Sequence, residues 1–189
     1  MAKIMNRMAW LSVLVTGIFI VLYGRTEHGT ALALAITFGT TSYHLVMRLV
    51  VGAVFDLLLK NHVDHRRRWF RVSEAEQAFY KKIKVKKWKG KMPAYDPGCF
   101  DRSIHTWDEI AQAMCQAELV HEVIMILSFL PILAAIRFGA LFVFVATSVL
   151  AAGYDAMFVI MQRYNRPRIV KLLEKTKKQD KNAPPSAAG

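Results

Sequence analysis

The sequence predicts an all-α membrane protein: a bundle of four transmembrane helices with a basic cytoplasmic loop that carries an amphipathic interfacial helix. Three observations predict it. Four apolar runs, residues 8–23, 30–59, 115–136 and 140–162, approach or exceed the ~20 helical residues that cross a bilayer core. Two basic blocks punctuate them. Residues 60–109 hold 13 Lys/Arg against 7 Asp/Glu, and residues 163–181 hold 8 Lys/Arg opposed only by Glu174 and Asp180. The two short connections, residues 24–29 and 137–139, hold one Arg each. Positive charge marks the cytoplasmic side, so an even number of spans places both termini and the loop there. Of 189 residues, 54% are hydrophobic, and their concentration in the runs describes a helix bundle in lipid rather than a water-soluble core. The net charge of +12 would suit nucleic acid. Basic clusters at helix ends answer more simply to topology and to anionic headgroups, at roughly 1 kcal/mol per basic residue, so no nucleic-acid partner is expected.

The first run is the shortest. Lys3 and Arg7 ahead of it resemble a signal peptide, but no small-x-small cleavage site follows Tyr23, and an uncleaved helix is the better reading. The second run is about 45 Å long as a helix, so its end emerges into the cytoplasm or tilts. The loop opens with the charged patch His62-Val-Asp-His65-Arg-Arg-Arg68. Ser73-Glu-Ala-Glu76 then matches a capping box. Residues 75–85 put Ala75, Ala78, Phe79 and Ile83 on one helical face, an interfacial pattern, and Trp69, Phe79, Tyr80 and Trp88 suit the headgroup region. Met92-Pro93 and Asp96-Pro-Gly98 are chain breakers, so the stretch through Asp101 reads as irregular.

Thr106-Trp-Asp-Glu109 is a second capping box and predicts that the third long helix starts near Trp107. Pro131 is expected to kink that helix, and Pro167, just beyond the last run, to stop the fourth. The polar residues after Lys175, with Pro184-Pro185, read as disordered. The chain thus divides into one membrane domain, residues 1–175, and a tail, residues 176–189. Cys99 and Cys115 form no CxxC pair and read as reduced bystanders.

Ionisable groups at membrane depth are costly, and a functional site is the default hypothesis for them. The second run holds His44, Arg48 and Asp56, the third Glu118, His121 and Glu122, the fourth Asp155, with Arg163 at its end. His44 and Arg48 are four apart; Glu118, His121 and Glu122 are three and four apart; each set shares a helical face. The alternating run directions bring all three sets to the cytoplasmic half. The prediction is one polar pocket beneath the loop. Ion pairs that merely fix the bundle, Arg48 with Glu118 or Asp155, are the plainer alternative, although apolar packing would hold the helices without a charge penalty. A histidine between two carboxylates can act as a general base near neutral pH, which singles out His121, with His44 in reserve. Metal chemistry fits less well. Glu118-Leu-Val-His121 matches the Glu-x-x-His element of di-iron bundles, but a second such element is missing. His62 and His65 sit in a solvated Arg-rich patch. No metal and no bound cofactor are expected, and the chain has no Gly-rich phosphate loop, no Gly-x-Ser-x-Gly elbow and no His-x4-Asp signature.

Three stretches carry a family resemblance: Phe79-Tyr-Lys-Lys-Ile-Lys-Val-Lys-Lys-Trp-Lys-Gly-Lys-Met-Pro93, Ala117-Glu-Leu-Val-His121 and Gln162-Arg-Tyr-Asn-Arg-Pro-Arg168. In this order they resemble the glycosyl-4,4'-diaponeurosporenoate acyltransferase family, small bacterial membrane enzymes whose reference member places a fatty acyl group on the sugar of a carotenoid glycoside. The resemblance spans residues 79–173. Glu118 and His121 match the family's Glu-x-x-His element, and Gln162 to Arg168 match its basic exit from the last helix. It implies acyl transfer, at the cytoplasmic face of a bacterial membrane, to a hydroxyl of a glycolipid or isoprenoid glycoside. The donor would be acyl-CoA or an acyl carrier protein. His121, Glu118 and His44 are then the candidate catalytic residues. Arg48, Lys86, Lys87, Trp88, Lys89, Glu122, Asp155, Gln162, Arg163, Tyr164, Asn165, Arg166 and Arg168 are the candidate substrate contacts, the cations meeting donor phosphates and an Arg or the Asn165 amide meeting the oxyanion. The alternative is a non-enzymatic membrane adaptor or anionic-lipid-binding protein, for which the lysines matter and His121 and Glu118 do not.

Overall fold

The computed structural model describes residues 2–88, 92 and 97–182. Among the described residues every regular element is helical, and four segments are long and apolar enough to cross a membrane, Lys3–Thr26, Gly29–Leu59, Trp107–Phe138 and Leu141–Gln179. The expected four-helix membrane bundle is the fold observed.

Helix α1 (Ala2–Thr26) begins before the apolar run and carries Lys3 and Arg7 in its first turns. Long basic side chains can lay their methylenes along apolar surface while their charge stays wet, so the helix is longer than the run. Glu27, in the left-handed region at φ 54°, reverses the chain into α2 (Gly29–Leu59). The two helices form a hairpin, with Phe19 stacked on Phe38 at 5.8 Å and Thr16 Oγ1 3.1 Å from Ser42 Oγ. Lys60 and Asn61, both left-handed, end α2.

The loop then folds back on the bundle. Val63 and Phe70 bury against Cys115, and Gln116 Oε1 accepts the Asn61 backbone N–H at 2.7 Å. Helix α3 (Glu74–Lys82) starts where Ser73 Oγ accepts the Glu76 N–H at 3.2 Å. Only half of the predicted capping box forms, because the Glu76 carboxylate turns to Arg163 and Tyr80 instead. Ala75, Ala78 and Phe79 stay exposed. The face turned inward carries Glu76, Gln77 and Tyr80, the last fully buried.

Helix α4 (Trp107–Leu127) opens on the complete Thr106–Glu109 capping box. Where a kink at Pro131 was expected, α4 ends. A 3-10 segment, Leu130–Ala134, and a short α5 (Ala135–Phe138) complete the crossing. The proline has no N–H for the carbonyl four residues back. That carbonyl, on Leu127, instead accepts the Tyr43 hydroxyl of α2 at 2.8 Å.

Helix α6 (Leu141–Asn182) corrects the expectation that Pro167 stops the last helix. The helix runs through it by the same means. The carbonyl that Pro167 leaves unpaired is that of Arg163, and it accepts the Gln77 side-chain amide of α3 at 3.3 Å. Helix α6 also continues past Lys175 to Asn182, into the segment expected to be tail; its Lys, Glu and Gln residues are good helix formers. Residues 183–189, and 89–91 and 93–96 of the expected irregular stretch, lie outside the described residues.

Candidate active site

Helices α2, α4 and α6 bring their ionisable residues together as two stacked clusters rather than one pocket. The cluster nearer the loop is built on Glu118, whose side chain is 0% exposed. Arg163 Nη1 donates to Glu118 Oε1 at 2.7 Å and Arg166 to Oε2. The Arg163 fork also binds Glu76 through Nε at 2.5 Å and Nη2 at 3.1 Å, and reaches the carbonyls of Trp69 and Arg71 at 3.2 Å. Arg166 donates to the Phe70 carbonyl at 2.6 Å and lies over the Phe70 ring at 5.1 Å. These two guanidiniums, one turn apart on α6, clamp the loop and α3 onto α4. Planar five-donor groups are what such a junction needs. Hydrogen bonding to Arg163 holds the Glu76 carboxyl below its usual range, and burial, then Glu76, push the Tyr80 hydroxyl up to about 12. Glu122 stands apart, accepting Trp69 Nε1 at 2.9 Å.

The second cluster lies one α4 turn deeper. Arg48 of α2 donates to Asp155 of α6, to the Ala151 carbonyl at 3.4 Å and to its own helix at His44 O, 3.0 Å. The other Asp155 oxygen is 2.9 Å from His121 Nδ1. The Asp155 side chain is 1% exposed and that of His121 23%. Phe158 stacks on the imidazole at 4.5 Å and 6° between planes. The ring is therefore fixed by a carboxylate at one edge and an aromatic on one face. A carboxylate accepting from Nδ1–H leaves the Nε2 lone pair free, which is the base-competent tautomer, and Nε2 takes no hydrogen bond from the described residues.

Sequence reasoning had His121 between Glu118 and Glu122. Both are on its helix, and both are engaged elsewhere; its carboxylate partner is Asp155. Of the two ion pairs considered for Arg48, the one with Asp155 forms. His44 is buried, 8% exposed, and neither ring nitrogen has a hydrogen-bond partner among the described residues. The Asn165 amide, considered for an oxyanion, is bound to its own helix at Met161 O, 2.8 Å. Gln162 is buried and Tyr164 half-buried on α6. Lys86, Lys87 and Arg168 are exposed and Trp88 half-buried; Lys89 lies outside the described residues. Asp56, on α2, joins neither cluster; its carbonyl accepts the Lys60 N–H that ends the helix. His65, of the solvated Arg-rich patch, is 3.4 Å from Asp108, while His62 is exposed. No group of three His, Cys, Asp or Glu able to hold a metal ion occurs among the described residues.

Glu76 and Gln77 are the partners that sequence reasoning missed. It read Glu76 only as a cap, and Gln77 gave one signal, its place on the helix that precedes the basic loop's lysines. Comparison with curated proteins and with solved structures finds no match. A family model does match, over residues 66–175, which is more than half of the chain and includes every member of both clusters except Arg48. On that match the protein belongs to the glycosyl-4,4'-diaponeurosporenoate acyltransferase family.

Proposed function

We propose that the protein is a membrane O-acyltransferase. It moves a fatty acyl group from an acyl thioester to a hydroxyl of a glycolipid or isoprenoid-glycoside acceptor at the cytoplasmic face of a bacterial membrane. The observation that carries this reading is the His121–Asp155 pair, a histidine held through Nδ1 by a buried carboxylate with Nε2 free. The family description supplies the reaction class, acyl transfer to a glycosylated isoprenoid.

His121 Nε2 takes the proton of the acceptor hydroxyl as its oxygen bonds to the thioester carbonyl carbon. The tetrahedral intermediate collapses, the C–S bond breaks, and the departing thiolate recovers the proton from Nε2. The products are an ester and a free thiol, and the base is regenerated. Asp155 holds the tautomer and steadies the transient imidazolium. Arg48 supplies the countercharge that makes a buried Asp155 tolerable. Arg163 and Arg166 are occupied by Glu118 and Glu76, so their task is to dock the loop. The exposed Lys86, Lys87 and Arg168 are left to meet the phosphates of an acyl-CoA or the acidic surface of an acyl carrier protein.

The test is transfer of labelled palmitate from palmitoyl-CoA to lipid in membranes carrying the protein. A general base contributes about 10²–10⁴-fold, so His121→Ala should lower the rate by that order with an unchanged melting temperature. An exposed Phe79 beside exposed Lys81, Lys82, Lys86 and Lys87 favours one rival, an anionic-lipid-binding adaptor. Full activity in His121→Ala together with loss of function on neutralising those lysines would select the rival.

A further inference from the structure

We propose that Tyr154 receives the sugar ring of the acceptor, beside the His121 base and from the lipid side of the bundle. The proposal rests on the acyl-transfer reading above. Tyr154 lies one helical turn before Phe158 on the same face of α6. Its ring packs on Phe158 at 5.2 Å and 77° between planes, and Phe158 in turn stacks on the His121 imidazole at 4.5 Å. The three rings form a ladder. Its inner end is the base, and its outer end, Tyr154, is 46% exposed.

Exposure at this depth means contact with hydrocarbon. Tyr154 precedes Gln162, where the apolar run ends, by roughly 12 Å of helix. A hydroxyl that faces lipid without a partner is costly. Threonines within the spans avoid that cost by bonding back to their own helix, as Thr41 and Thr147 do at 2.9 and 2.8 Å. A tyrosine hydroxyl stands too far from its own backbone to do so and takes a partner from elsewhere. Tyr43, also within a span, has one in the Leu127 carbonyl at 2.8 Å. The Tyr154 hydroxyl has none among the described residues.

The chemistry of this position selects a sugar. A phenol gives one hydrogen bond and accepts others, as each hydroxyl of a pyranose does. The C–H bonds on a pyranose face carry slight positive charge and pack against the negative face of an aromatic ring. A lipid-facing site also suits an acceptor that stays in the bilayer, since its isoprenoid tail keeps to the hydrocarbon while its sugar meets Tyr154. Helix α6 runs toward the loop, so Phe158 and the His121 ring stacked on it lie on the loop side of Tyr154. A sugar held at Tyr154 therefore has its tail on the deeper side and presents its far hydroxyls to His121. The acyl donor comes from the loop side, where the exposed lysines are. The two substrates reach one base from different phases.

The experiment uses full-length protein in lipid nanodiscs, with tyrosines 13C-labelled at Cζ. The Tyr154 resonance is assigned by its loss in Tyr154→Phe. The probes are geranylgeranyl glucoside and, as the same tail without a sugar, geranylgeraniol. We expect the glucoside to move the Tyr154 resonance and geranylgeraniol to leave it in place; no turnover is needed. In acyl-transfer assays with the glucoside, Tyr154→Phe should raise the acceptor KM about 2–10-fold, the worth of one hydrogen bond. Tyr154→Ala, which removes the ring as well, should raise it about tenfold or more. The KM for palmitoyl-CoA should not change in either variant, and the melting temperature of Tyr154→Phe should not fall. A ring that only packs the bundle would leave the acceptor KM unchanged. That result in Tyr154→Ala, or a Tyr154 resonance that ignores the glucoside or answers geranylgeraniol equally, would overturn the proposal. A resonance that moves with the glucoside alone, in a protein that transfers no acyl group, would instead remove the reaction and leave the sugar site.

Discussion

His121 takes its carboxylate partner, Asp155, from a helix other than its own. Asp155→Asn keeps the shape of the partner but lets the imidazole adopt the other tautomer, so activity should fall about 10²-fold or more while the fold survives. Asp155→Ala removes the countercharge of a half-buried Arg48 as well. It should therefore cost about 3–5 kcal/mol in unfolding titrations, on top of the activity loss. A drop in activity for the Ala variant alone would assign Asp155 to structure. The cluster nearer the loop behaves differently. Arg163→Lys keeps the charge but loses the fork that serves Glu76, Glu118 and two carbonyls. About 2 kcal/mol of stability should go with it, whereas a pure topology determinant would tolerate the change. The sequence made the polar residues legible because charge at membrane depth is rare. It could not say which carboxylate His121 uses. The i, i+3 spacing puts Glu118 on its face, whereas contact with Asp155 depends on how α6 is rotated against α4.

The prolines set the interhelical contacts. Pro131 and Pro167 each strip a carbonyl four residues back of its partner, and each carbonyl recruits a side chain from another helix, Tyr43 for Leu127 and Gln77 for Arg163. Gln77→Ala should cost about 1 kcal/mol. The same change in a Pro167→Ala background, where the backbone N–H is restored, should cost less; equal costs in the two backgrounds would show that the carbonyl is not what Gln77 serves. Helix starts were legible, since Thr106 and Glu109 cap α4 where the sequence predicted. Helix ends at proline were not. Whether a proline stops, breaks or is absorbed depends on a donor from a distant element, and local sequence carries no trace of it. The apolar face of α3 was legible from periodicity, and the helix leaves it turned outward, as an interfacial helix does. Its docked side is the polar one, held by ion pairs and hydrogen bonds, while Ala75, Ala78 and Phe79 remain exposed.

At the scale of the molecule, the loop is fastened to the bundle largely by charge. The Glu76 carboxyl, held by Arg163 below its usual value of 4.5, adds stability that is complete above that value. The contribution is lost as pH falls through the lower folded value. Thermal unfolding followed from pH 6 downward should show this acid-dependent loss in wild type, and Glu76→Gln should flatten it; an unchanged profile would mean that other carboxylates dominate. The number of spans, the basic loop and the family were all readable from the sequence, because hydropathy, charge and motif are local properties. The partition of the polar residues into a docking clamp and a deeper histidine pair was not, since it arises from packing.

Acyl transfer by this protein should depend on His121. Its most direct test is lipid mass spectrometry of membranes from cells expressing wild type or His121→Ala at matched levels, in a host shown to contain glycolipid acceptors. Wild type should give a lipid heavier by one fatty acyl unit, and the variant almost none of it. Identical lipidomes, or the same acylated lipid in both, would contradict it.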